Sequence, residues 1–109
     1  MTWLNNAEIK TAEDKAKEAK EQARQAAKAK RDTALNSLTY TFEDGRVIQT
    51  RPQDLSLIEM GIALGGDDWV LADNTVAKMT KSDLEEAKRE GIKAGKEVWK
   101  EYKKALKDE

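Results

Sequence analysis

An α+β fold, with elements in the order α-ββ-α-ββ-α, is predicted for this chain of 109 residues by three observations. Strong helix formers occupy a long stretch at each end of the chain. Two short segments rich in β-branched and aromatic residues contain the turn sequences Asp44-Gly45 and Asp73-Asn74. Between them lie apolar residues at helical spacing. We therefore expect a long N-terminal helix, two hairpins and a long C-terminal helix, with a small antiparallel sheet covered on one face.

The composition excludes several kinds of chemistry. The chain has 20 Lys and Arg against 21 Asp and Glu, a formal net charge of −1, and it contains neither His nor Cys. Disulfides, thiol catalysis, structural zinc and an imidazole base are therefore impossible within the chain itself. No apolar run approaches the ~20 residues that a membrane span requires, and no signal-peptide pattern opens the sequence. These features predict a soluble cytoplasmic protein.

The N-terminal segment is expected to form one helix over residues 7–34, because it lacks Gly and Pro and is rich in Ala, Lys, Glu, Arg and Gln. Asn5 and Glu8 have the spacing of an N-capping box. At 1.5 Å per residue such a helix is about 40 Å long, so part of it is expected to project from the rest. We accordingly divide the chain into a helical segment, 1–36, and a compact α+β domain, 37–109.

A stripe of mostly alanine side chains runs along this helix at the 3,4 spacing of a coiled-coil seam. An alanine seam buries little area, but it lets two backbones approach closely. Two interpretations stay open: the helix packs on its own domain or stands solvated, or the seam pairs with a second copy or a partner helix. The predicted partner-binding residues are Ile9, Ala12, Ala16, Ala19, Ala23 and Ala26.

The first hairpin is predicted to turn at Asp44-Gly45 through a type I′ turn. This turn pairs Phe42 with Val47 and Tyr40 with Gln49. Tyr40, Phe42 and Val47 then form the face that we expect in the core.

A second helix is expected to start at Arg51-Pro52, with proline at its first position, and to end at Gly65-Gly66. It has two apolar stripes, which predict a helix buried on two sides. The first stripe consists of Leu55, Ile58 and Ile62, and the second of Leu57, Gly61 and Leu64.

The second hairpin is predicted as strands 69–72 and 75–79, followed by a helix that Thr80 caps with Asp83 at its third position. That helix extends to about residue 107. The pair Gly91 and Gly95 weakens it, which indicates the close approach of another backbone, either the domain's own sheet or second helix or that of a partner. Trp69 and Trp99 are expected in the core.

The sequence gives only weak evidence for catalytic or metal-binding groups. Asp67 and Asp68 after two glycines suggest a metal-binding turn, but a polar turn leaving a helix explains them better. Nothing in the sequence brings a base and an oxyanion donor together. We therefore predict a protein that is not an enzyme, with no catalytic, metal or cofactor-binding residues and no cofactor.

Four runs carry a resemblance to a known group of proteins: LTYTFEDGRVIQTRPQD at 38–54, DWVLADNT at 68–75, TKSDL at 80–84 and VWKEY at 98–102. Together they resemble a tail-associated domain of bacteriophages and prophages that has no assigned activity. The leader, from Trp3-Leu4 to Lys30-Arg31-Asp32, is similar to that of phage tail-fibre assembly proteins. The resemblance implies an accessory or structural role in a phage particle or its assembly, in the virion or the host cytoplasm.

These observations predict a non-catalytic phage tail-associated interaction module that binds copies of itself or another tail protein. The alternative is a small phage-encoded regulator that binds and inhibits a host protein. Binding to a membrane is not expected. Neither is binding to nucleic acid, since the basic excess on the first helix is weak. The basic residues considered for it are Lys15, Lys20, Arg24, Lys28 and Arg31.

Overall fold

The fold is α+β with the predicted order α-ββ-α-ββ-α. The computed structural model describes the backbone of residues 2–108 and the side chains of residues 14–108. Its elements, in chain order, are α1 (Thr2–Asn36), β1 (Thr39–Thr41), β2 (Val47–Gln49), α2 (Pro52–Ala63), β3 (Gly66–Val70), β4 (Val76–Thr80) and α3 (Lys81–Lys107).

Helix α1 is longer than the predicted span of 7–34. It begins at Thr2 and runs for 35 residues without a break, because no Gly or Pro interrupts the sequence from 2 to 36. Asn5 lies inside the helix, so its predicted role as the N-cap is wrong. The side chains of Trp3 and Leu4 lie outside the described residues.

The register of the first hairpin differs by one residue from the prediction. Tyr40 pairs with Ile48 and Thr41 with Val47. The Phe42 N–H donates to the Arg46 carbonyl at 2.8 Å, which closes a three-residue loop. Only the last residue of that loop, Gly45, has a positive φ (+90°), so the turn is not type I′. Because a one-residue slip exchanges the faces of a strand, Ile48 takes the fully buried position that we expected for Val47.

The second hairpin has the same type of three-residue loop. The Leu71 N–H donates to the Thr75 carbonyl at 2.7 Å, and Asn74, with φ of +67°, stands where Gly45 stands in the first. Its strands are displaced along the sequence from the predicted 69–72 and 75–79, away from the turn. Strand pairing extends outward to Gly66 and Thr80, the residues next to α2 and α3. The hairpins form two separate two-stranded sheets rather than one sheet. A hydrogen bond from the Ala72 N–H to the Val47 carbonyl, 2.9 Å long, joins them.

Helix α2 begins and ends where predicted. Proline occupies its first turn, and the backbone N–H and the guanidinium of Arg51 donate to the Asp54 carboxylate at 3.1 and 2.6 Å. Gly65, with φ of +83°, follows its last residues. The first apolar stripe packs on the core through Ile58, whereas in the second stripe only Gly61 is buried. The prediction that α2 is buried on two sides is wrong, since Leu57 is 54% exposed and Leu64 is 74% exposed.

Helix α3 has the predicted cap, in which the Asp83 N–H donates to the Thr80 hydroxyl at 3.1 Å. The two glycines of α3 differ. A Cβ on Gly91 would lie 2.9 Å from Thr50 Cβ, so a close approach is present there, but it is made by side chains rather than by the predicted backbone. A Cβ on Gly95 would meet nothing within 4 Å, so at that position the prediction is wrong.

The core lies where the hairpins, α2 and the first half of α3 meet. Tyr40, Leu55, Ile62, Trp69 and Ala77 pack around it, so Trp69 is partly buried as expected. The buried apolar residues are Phe42, Ile48, Ile58, Leu71, Met79, Leu84 and Ala87.

The two long helices run antiparallel and extend the molecule. The end of α1 lies near the middle of α3, whereas Ala27 lies in a crevice with Ala105 and Asp108 at the end of α3. The molecule measures 76 × 24 × 23 Å along its principal axes. The part of α1 before Ala27 therefore projects past the end of α3.

Candidate functional site

The projecting part of α1 carries the predicted partner-binding seam. Every residue from 14 to 26 is exposed, including the four seam alanines in that range, Ala16, Ala19, Ala23 and Ala26. The backbone of Ile9 and Ala12 continues the same helix, but their side chains lie outside the described residues.

These alanines form a narrow strip because residues three and four apart lie on the same face of a helix. A strip of methyl groups holds no catalytic group, but it allows another helix backbone to approach closely. Each alanine buries little apolar area, so any stabilisation has to come from several of them together.

The second half of α1 is attached to α3 by Arg31. Its guanidinium carbon lies 4.8 Å from the ring centroid of Trp99 and 4.6 Å from that of Tyr102. The two rings meet edge to face with centroids 5.8 Å apart. The Arg31 side chain is only 15% exposed and also pairs with Asp32 at 2.9 Å. Trp99 thus serves the contact between the helices, and its predicted place in the core is wrong.

A groove of about 900 Å³ lies beside this contact, between the end of α1, the start of α2 and the face of α3. The floor of this groove is mostly apolar, and a row of lysines borders it. We call it the lysine groove. Its floor consists of Leu35, Leu38, Thr50, Pro52, Leu55, Gly91, Ile92, Gly95 and Trp99, and its rim of Lys96, Lys100, Lys103, Lys104 and Lys107.

Among the described side chains, none of the rim lysines lies within 4 Å of a carboxylate oxygen. Within the described part of the chain, the carboxylates that pair with a cation pair with other residues, such as Lys88 and Lys93 on α3. The lysine groove therefore combines an apolar surface with a row of positive charges on one side.

The carboxylates of Asp67 and Asp68 do not converge. The two residues lie within β3 rather than in the predicted polar turn, because strand pairing begins at Gly66. Successive side chains of a strand point to opposite faces. In addition, Lys78 stands opposite Asp68 in the register. Among the residues that the structure describes, no group of three acidic side chains is placed to hold a metal ion.

The shifted pKa values belong to groups that hold the fold together. A hydrogen bond to Glu86, whose carboxylate accepts from the Tyr40 hydroxyl at 2.7 Å, raises the pKa of Tyr40. A hydrogen bond from Thr75 lowers the pKa of Asp73. For Asp83, desolvation raises the pKa, but hydrogen bonds from Thr80 and the charge of Arg46 outweigh it and leave the pKa lowered. These shifts accompany hairpin and helix-cap contacts and mark no catalytic pair.

Two features of the surface were missed by the sequence reasoning. The lysine row could have been found, because Lys96, Lys100, Lys103 and Lys107 follow a helical spacing of four, three and four. The apolar floor could not, because it is contributed by three separate helices and the segment between α1 and β1. Arg31, one of the basic residues considered for nucleic acid, is instead engaged by two aromatic rings.

None of the helices in the described part of the chain is long and apolar enough to span a membrane. Comparison of the chain with protein families, with curated proteins and with solved structures finds no match.

Proposed function

We propose that this chain is a non-catalytic protein-interaction module that acts through the projecting part of α1, by pairing with a second copy or with another helix. The single observation that carries this proposal is the exposure of Ala16, Ala19, Ala23 and Ala26 on a helix whose other end is held by α3.

The arrangement favours pairing over simple solvation for a physical reason. An isolated helix gains most of its stability in a protein from packing an apolar face, and the seam offers that face only to another molecule. Contacts between α1 and α3 fix the direction of the projecting part of α1, which lowers the entropy lost when a partner helix binds it.

The setting that we propose is the tail, or tail assembly, of a bacteriophage. Support for it comes from the resemblance of the runs 38–54 and 68–75 to phage tail-associated domains. In this setting the domain formed by the hairpins, α2 and the first half of α3 holds the projecting part of α1 in a fixed position.

Size-exclusion chromatography with light scattering tests the proposal. The wild-type chain is measured over a range of concentrations, alone and with candidate tail proteins, beside a double variant, Ala16→Glu with Ala23→Glu. We expect the wild type to form a concentration-dependent oligomer or a complex, and the double variant to lose it, because two carboxylates on the seam cannot be buried unpaired.

A matched control carries Lys17→Gln with Gln25→Glu, which changes the net charge by the same amount on residues beside the seam and behind it. This control should associate like the wild type. A wild-type chain that stays monomeric and binds no tail protein would refute the proposal, as would equal association of the seam variant and the control.

A further inference from the structure

We propose that the lysine groove binds an acidic amphipathic segment of a protein partner, one in which carboxylates flank a stripe of apolar side chains. This site lies on α3, α2 and the end of α1, so it is separate from the alanine seam and does not depend on the function proposed above.

The floor of the lysine groove is an apolar surface left open to solvent. Trp99 is 42% exposed and Ile92 is 38% exposed, although both lie beside the packed contact with α1. Gly95 lies one turn from each of them, and a Cβ there would meet nothing within 4 Å. The floor is therefore recessed at its middle and can accept large side chains of a bound segment.

The rim supplies charge along the whole length of this floor. Lys96, Lys100, Lys103 and Lys107 form one row on α3, and Lys104 lies next to it. Lysines in the last turn of a helix are favoured by the helix dipole, which accounts for Lys104 and Lys107. The dipole effect falls off within one turn and does not account for Lys96 and Lys100. The row thus extends beyond the reach of the helix dipole.

A carboxylate-bearing peptide fits this surface better than other anions do. A small amphiphile would need a cavity that encloses most of its surface, whereas the lysine groove is open along one side. Nucleic acid would find one exposed aromatic ring rather than a series of stacking platforms. A flat lipid surface cannot fill a recessed floor.

Fluorescence anisotropy of a labelled synthetic peptide tests this inference on the full chain. The peptide is an acetylated helix of about 18 residues with leucine at helical spacing and glutamate at most other positions. We expect saturable binding that weakens as salt rises. Lys100→Glu with Lys103→Glu should weaken binding by about tenfold or more, since it replaces attraction with repulsion. Ile92→Ser should also weaken binding, because it removes an apolar contact from the floor without changing the net charge.

Three controls make the result decisive. Lys78→Glu with Lys81→Glu makes the same charge change on exposed residues away from the lysine groove and should bind the peptide like the wild type. A peptide with lysine in place of glutamate should not bind. The seam variant, Ala16→Glu with Ala23→Glu, should bind the peptide normally, so that failure of one proposal is distinguishable from failure of the other.

The inference is overturned if the acidic peptide does not bind, or if it binds the Lys100→Glu, Lys103→Glu variant as tightly as the wild type. It is also overturned if vesicles of phosphatidylcholine and phosphatidylglycerol, or duplex DNA, bind the wild type more tightly than the acidic peptide does.

Discussion

Helices α1 and α3 have similar compositions, but their first halves have opposite surroundings. Both are long and rich in Lys and Glu, and α1 is also rich in Ala. The first half of α3 is anchored in the core, where Leu84, Ala87 and Gly91 are buried. The described residues in the first half of α1 are exposed. The second halves of the two helices pack against each other.

This difference shows that composition decides that a segment is helical, whereas the size and spacing of its apolar residues decide what it packs on. Leu84 offers a large apolar side chain to the hairpins and α2, and Gly91 lets Thr50 come close. Among its described side chains, the exposed half of α1 offers only alanines at the corresponding spacing, which bury too little area to hold it against a domain.

The largest expected effect is at the anchored half of α3. Leu84→Ala should lower the free energy of unfolding by about 3 kcal/mol, because Leu84 is fully buried in the core. Ala23→Ser in the exposed half of α1 should change it by less than about 0.5 kcal/mol. Urea denaturation followed by circular dichroism measures both changes. Similar losses for the two variants would contradict the contrast between the helices.

The glycines of α3 sharpen the comparison within a single helix. Gly95→Ala should stabilise the protein by up to about 1 kcal/mol, because alanine is the better helix former and the site is open. Gly91→Ala gains the same helix preference but places a Cβ 2.9 Å from Thr50 Cβ and 3.2 Å from Leu55 Cδ2. We expect a net loss of about 1 kcal/mol there, since overpacking outweighs the gain. Thermal denaturation of both variants gives the signs, and a stabilising Gly91→Ala would show that the contact is loose.

Much of the fold could be predicted because its signals are local. Pro52 marked the start of α2, and Thr80 with Asp83 marked the start of α3. The hairpin register was predicted wrongly because Asp44-Gly45 fits both a two-residue and a three-residue loop. The choice between them depends on whether Ile48 or Val47 faces the core, and that in turn depends on α2 and α3.

The candidate surfaces divide in the same way. The alanine seam belongs to one helix, so its periodicity was visible in the sequence, and the structure finds its described alanines exposed. The lysine groove joins residues as distant along the chain as Leu35 and Lys107, so it exists only after folding. Trp99 was misjudged for the same reason, because Arg31 reaches it from another helix.

The junction between the two helices offers a smaller test. Arg31→Ala should loosen the second half of α1 from α3, at a cost of about 1 kcal/mol for the lost contacts with Trp99 and Tyr102. Hydrogen exchange of residues 27–36 should quicken while exchange in the core stays slow. Lys30→Ala, a neighbour that is exposed, is the control and should leave exchange nearly unchanged. Equal exchange in both variants would mean that other contacts hold α1.

The smallest expected effect is the pH dependence at the cap that starts α3. The pKa of Asp83 in the folded chain lies below its ordinary value, because hydrogen bonds from Thr80 and the nearby Arg46 outweigh desolvation. A lowered pKa in the folded state means that Asp83 contributes stability above the ordinary carboxyl range and loses it as the pH falls through the folded value. Asp83→Asn should therefore reduce stability at neutral pH and flatten its decline in acid, as denaturation at several pH values would show. Asp14→Asn in the exposed half of α1 makes the same charge change away from the cap, and an equal flattening by both variants would show that general charge rather than the cap controls the acid decline.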